Sequence, residues 1–212
     1  MEFPELLELV ADEPVFETNL LLAGAVDPNY ARQQLSRWTK AGKLYQLRRG
    51  LYVLAPPFQR VKPHPCLVAN RMVPGSYVSL QSALSYHGLI PEYVALTTSV
   101  GTMRPTRWDT PLGAYEFRHI KNALFWGYVR MALGGGQWAF VAMPEKALLD
   151  LLHLHPGADS PDYLRELRLQ NLGQVDLDRL ARQAEHTHSA KLRRAAAVVA
   201  EMARSKREYE EL

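Results

Sequence analysis

Asn29, Arg32, Gln33, Ser36, Arg37 and Lys40 recur at intervals of three and four residues, and Lys43, Arg48 and Arg49 follow them closely. Amide, hydroxyl, guanidinium and ammonium groups are the side chains that bridge base edges and phosphates, and no carboxylate stands among them. The chemistry on offer is recognition of double-stranded DNA: the amides, Ser36 and Arg37 for base edges, and the remaining bases for phosphates or, at Arg48 and Arg49, the minor groove.

Such side chains need a helix to align them and a second element to flank the duplex. Asp27 can cap a helix, Pro28 suits the first helical position and Gly42 suits a left-handed exit, so the sequence predicts a helix from Pro28 to Ala41. At ~100° per residue, Ala31, Leu35, Trp38 and Thr39 share one side, and Asn29, Gln33, Ser36, Arg37 and Lys40 share the other. Leu44 to Leu47 and Leu51 to Leu54 read as two strands, with Arg48 and Arg49 at the turn and Gly50 supplying its permissive backbone angles. Helix, strand, basic tip and strand is the order of a winged helix-turn-helix.

A polar helix face is also what any solvated surface helix presents, and the distribution of charge separates the two cases. From Met1 to Asp27 there are seven acids (Glu2, Glu5, Glu8, Asp12, Glu13, Glu17, Asp27) and no Lys or Arg. From Pro28 to Lys62 there are eight bases (Arg32, Arg37, Lys40, Lys43, Arg48, Arg49, Arg60, Lys62) and no acid. A face that meets a polyphosphate must exclude carboxylates, which would repel the backbone. The acids of the first helices are expected to lie away from the basic helix.

The chain of 212 residues, 47% of them apolar, can bury a substantial core, and its net charge of +3 makes the basic character local rather than global. The lone Cys66 cannot form an internal disulfide, which fits a reducing cytoplasm, and its expected role is that of a small buried apolar residue. No signal-peptide pattern opens the chain, and no apolar run approaches the ~18 residues needed to span a bilayer, so neither secretion nor membrane insertion is expected.

The fold class expected is α+β: an N-terminal winged helix-turn-helix over residues 1–55, a proline-rich connector over 56–65, an α+β domain over 66–158 and a helical C-terminal region over 159–212. Phe3 to Val10 supplies the first helix and Thr18 to Ala23 a second, with Gly24 opening the turn to Asp27. The connector should be extended and stiff. Beyond it the sequence predicts a short helix from Leu67 to Met72 and another from Leu80 to His87, the latter capped by Ser79. Strands are expected at Tyr93 to Val100 and Gly113 to Ile120, a hairpin at Tyr128 to Leu133 and Trp138 to Met143, and a helix at Pro144 to Leu154. The tail should hold helices at Pro161 to Leu169, Asp176 to Glu185 and Ser189 to Glu210, either capping the middle domain or facing a protein partner.

Other candidate chemistry is sparse. Gly134 to Gly136 lacks the lysine and hydroxyl of a phosphate-gripping loop and joins two strands. His153 and His155, like His186 and His188, stand two apart, about 200° around a helix and unfit to chelate from one face. Glu116, Glu145 and Lys146 invite a nuclease reading, yet between Lys62 and Pro144 the only acids are Glu92, Asp109 and Glu116, which share no motif. Ser79, Ser82 and Ser85 lack a nucleophile elbow, and His87 has no evident acid partner. No catalytic residue, metal site or cofactor site is expected.

The winged segment with RRGLYVL, the proline connector, YVSLQSALSYHGLIPE, MPEKALLDLLHL and YLRELRLQNL together resemble, in order and spacing over nearly the whole chain, the AbiEi antitoxin family of type IV toxin–antitoxin and abortive-infection systems. The resemblance implies a transcriptional repressor that binds inverted repeats upstream of its own operon. It also implies neutralisation of a partner nucleotidyltransferase-like toxin, associated with the C-terminal region. Carried over to this chain are the recognition-helix face and the Arg48-Arg49 tip. The residues by themselves leave a second class open, a module whose winged domain and C-terminal helices bind a protein partner without sequence-specific DNA binding.

Overall fold

A computed structural model describes residues 1–10, 12–22, 27–91 and 95–210. The chain opens with α1 (Phe3–Val10), β1 (Phe16–Glu17), α2 (Thr18–Leu21), α3 (Pro28–Lys40), β2 (Leu44–Arg48) and β3 (Leu51–Leu54). The three strands form an antiparallel sheet in the order β1-β3-β2, with Phe16 opposite Tyr52 and Leu44 opposite Leu54. This completes a winged helix-turn-helix.

The second helix stops at Leu21, shorter than its sequence predicts, while the Ala23 and Gly24 expected to end it lie outside the described residues. Strand β1 was not expected, because two residues carry no periodicity and gain their pairing only from β3.

β3 explains how this domain is held. All four of its residues are buried, and alternation sends them to opposite sides. Tyr52 and Leu54 join Phe3, Leu6, Val10, Phe16, Leu35, Trp38 and Leu44 in the domain's own core. Leu51 and Val53, with Leu47 and Val15, enter the large core of the following region instead. An unbroken apolar run such as Leu51 to Leu54 is what a strand buried on both faces requires.

The connector is less straight than its prolines suggest. The amide of Phe58 donates to the carbonyl of Ala55 at 2.8 Å, closing a turn that brings the Phe58 ring edge-on to Phe3, 5.0 Å between centroids.

The body follows with α4 (Pro65–Met72), β4 (Ser76–Val78), α5 (Leu80–Tyr86), β5 (Leu96–Gly101), β6 (Thr106–Thr110), β7 (Gly113–His119), β8 (Tyr128–Gly134), β9 (Gln137–Ala142) and α6 (Pro144–Leu154). Its six strands form one mixed sheet, β6-β7-β5-β4-β9-β8, in which β5 with β7 and β4 with β9 run parallel. The hairpin at β8 and β9 and the helix α6 lie where the sequence predicts them. Strand β5 starts at Leu96, and the Tyr93 and Val94 assigned to it fall outside the described residues. Strands β4 and β6 were not expected.

Three helices close the chain: α7 (Pro161–Glu166), α8 (Leu177–His186) and α9 (Ala190–Glu210). The first ends at Glu166, short of the expected Leu169, because Arg168 takes a left-handed angle, φ 49°. Among the described residues, no helix is long and apolar enough to cross a membrane.

Candidate nucleic-acid interface

Helix α3 forms where its end signals place it. Asp27 caps it by accepting from the Asn29 amide at 2.9 Å, and Pro28 occupies the first turn. Leu35 is sealed, and Ala31, Gln34 and Trp38 are buried beside it against α1 and the sheet. Burial of Leu35 and Trp38, roughly 1.5–3 kcal/mol each, fixes which side of the helix faces outward.

That outward side carries Asn29, Arg32, Gln33, Ser36, Arg37 and Lys40, all exposed. Arg32 donates to the side-chain oxygen of Asn29 at 3.3 Å, so the two move as a unit. Across from Arg32 stand Arg48 and Arg49, and the three line a groove of about 520 Å³ with Glu17, Asn19 and Tyr52. Helix and wing tip therefore converge at the N-terminal half of α3.

Two of the nine predicted residues are engaged elsewhere. Arg48 is half-buried; it donates to the carbonyls of Arg49 at 3.1 Å and of Arg71, in the last turn of α4, at 3.2 Å. The wing tip is thus tied to the body, with Arg49 the exposed guanidinium. Lys43 lies beyond the other end of α3, its ammonium 4.5 Å from the centre of the Phe3 ring.

Two features of this surface escape the sequence reading. Tyr30 is 38% exposed; at ~100° per residue it falls about 20° from Arg37, which is the signal that places it on the free face. Glu17 puts a carboxylate beside the three arginines, although the acids were expected to lie away from the basic helix. It arrives there through β1, the strand that had no sequence signature.

A second polar constellation lies inside the body. Tyr77 and Ser79 donate their hydroxyls to one oxygen of Asp150 at 2.9 and 2.7 Å, and Lys146 pairs with the other oxygen. Ser79 occupies the cap position of α5, as its sequence predicts, but its hydroxyl serves Asp150 rather than the helix. Burial pushes the Lys146 ammonium down and the Asp150 carboxyl up, and the attraction between them opposes both shifts. All four side chains are at most 2% exposed, which closes them to any substrate and makes the cluster a tie between α6 and the sheet. The neighbouring Glu145, also buried, accepts from the Asp176 amide at 2.8 Å and so anchors the start of α8. Among the described residues, no three His, Cys, Asp or Glu side chains gather as a metal would require.

A three-stranded winged domain that displays a basic, carboxylate-free helix face belongs to the class of helix-turn-helix modules. Residues 5–55, which run from within α1 to just past β3, match the model of the family described as "Transcriptional regulator, AbiEi antitoxin". No curated protein is similar enough to the chain to match it.

Proposed function

We propose that the protein is a sequence-specific DNA-binding transcriptional repressor whose residues 1–55 are the DNA-binding unit, joined by residues 56–65 to a domain over 66–158 and a helical region over 159–212. In this reading α3 enters the major groove, Asn29, Gln33, Ser36 and Arg37 read base edges, and Arg32, Lys40 and Arg49 hold the backbone, while Arg48 fixes the wing tip and Lys43 stays on the Phe3 ring. The observation that carries it is the outward face of α3, six exposed amide, hydroxyl and basic side chains without a carboxylate, flanked by the wing tip. The operator is an inverted repeat upstream of the protein's own operon, and the protein acts in the cytoplasm as antitoxin to a nucleotidyltransferase-like toxin through its C-terminal region. The family matched by the winged domain supports this assignment.

Binding of the purified chain to labelled upstream DNA, with scrambled competitor and at two salt concentrations, tests the reading. Tight, competitor-resistant and salt-sensitive binding is expected. Gln33→Ala and Arg37→Ala should each relax sequence preference by ~1–3 kcal/mol, whereas Arg49→Ala should weaken all sequences alike and lower the salt slope by about one unit. Equal affinity for upstream and scrambled DNA would remove the repressor reading and turn attention to a protein partner.

A further inference from the structure

The winged domain and the body enclose a cleft of about 550 Å³. One wall is the segment entering β1, with Asp12 and Glu13 exposed and Glu17 half-buried. Among the described residues, none of these three carboxylates has a hydrogen-bond or ion-pair partner. The opposite wall is aromatic: Trp138 and Phe140 of β9 are 39% and 37% exposed and meet edge to face at 5.6 Å. The Trp138 ring already holds one cation, the Arg130 guanidinium, 4.1 Å from its centre.

Carboxylates without partners opposite exposed aromatic faces form a constellation that selects positive charge on an apolar body. A cleft of this size, at the junction of two units, suits a small molecule better than a folded partner. We infer that it binds a small organic cation, an ammonium or guanidinium group on an apolar or aromatic stem, and that its occupancy strengthens DNA binding.

The coupling follows from two residues. Glu17 lines both the cleft and the groove that holds Arg32, Arg48 and Arg49, so a cation drawing on its carboxylate lessens the repulsion that phosphates meet there. Arg71 lines the cleft as well; its carbonyl accepts from Arg48, and its guanidinium donates to the Val15 carbonyl at 3.4 Å. By linkage, operator DNA tightens the cation's binding by the same factor. This second half rests on the repressor reading; the cation site does not.

Calorimetric titration of the full chain with benzamidine and with arginine methyl ester, using benzamide as the uncharged counterpart, tests the site without DNA. Saturable binding of the two cations is expected, absent for benzamide. It should weaken at least about tenfold in both the Glu13→Gln/Glu17→Gln and the Trp138→Ala variants. Failure of both cations to bind, or equal binding by the variants, overturns the site; binding of an arginine-rich peptide alone overturns the small-molecule assignment in favour of a basic segment of a partner protein. Saturating benzamidine should then raise affinity for upstream DNA about fivefold in the native chain, and not in Glu17→Gln. A cation that binds while DNA affinity stays fixed overturns the coupling. A chain that binds cations but shows no preference for upstream DNA leaves the site standing and removes the repressor reading.

Discussion

Asp150 shows how one side chain can organise a core. It is 1% exposed and satisfied by Lys146, Ser79 and Tyr77 at once, so its charge is compensated from α6, from the middle of β4 and from the residue that leads β4 into α5. Removing the cation should be far costlier than any surface change. Lys146→Met is expected to lower stability by ~3–5 kcal/mol in urea unfolding, because a buried carboxylate loses its counter-charge. Replacing both partners, as Lys146→Met/Asp150→Leu, should recover only part of that, since two buried hydroxyls then lack an acceptor, at ~1–3 kcal/mol each. In the sequence Lys146 stands out beside Glu116 and Glu145, a grouping without a shared motif, whereas the carboxylate it meets is Asp150. The i, i+4 spacing to Asp150 is visible in the chain, yet nothing in it announces that both residues turn inward in a helix whose eight residues from Glu145 to Leu152 are all buried.

At the scale of elements, those that declare their own ends were legible. α3 is bounded by Asp27, Pro28 and Gly42, and the β8–β9 hairpin by three consecutive left-handed glycines, Gly134 to Gly136. Strands β1 and β4 were not legible, because two and three residues show no period of their own and exist through partners distant in the sequence; β6 alternates but, as a half-exposed edge strand rich in polar residues and paired with the adjacent β7, carries little apolar signal. Helix α4 carries a less usual cap: the Nδ1 atom of His64 accepts from the Cys66 amide at 3.2 Å. That bond needs the ring neutral, and burial holds the His64 ring below the ordinary histidine range. A group held this way binds fewer protons folded than unfolded, so its contribution is present above pH ~6.5 and is lost as pH falls through the folded value. Thermal unfolding followed from pH 7.5 down to 5.5 should show that loss, and His64→Asn, a cap that does not titrate there, should flatten it. An unchanged pH profile in the variant would separate the cap from acid sensitivity.

Across the whole molecule, the winged domain is less self-contained than its three helices and small sheet suggest. Val15, Leu47, Leu51 and Val53 are buried in the body's core, and Arg48 is bonded to α4. A fragment of residues 1–55 should therefore expose four apolar side chains, unfold at lower urea than the full chain and self-associate; monomeric behaviour with native-like stability would show that the contact between units carries little energy. The sharing was half-visible in the unbroken run Leu51 to Leu54, whose second buried face demanded a partner that composition could not name. The strand order has a consequence in time as well. β4 sits between β5 and β9, yet Val78 waits for Val141, and at a synthesis rate of ~5–20 residues per second that wait lasts roughly 3–13 s. For those seconds the centre of the future sheet leaves the ribosome with one edge unpaired, and the nascent chain is then most in need of a chaperone.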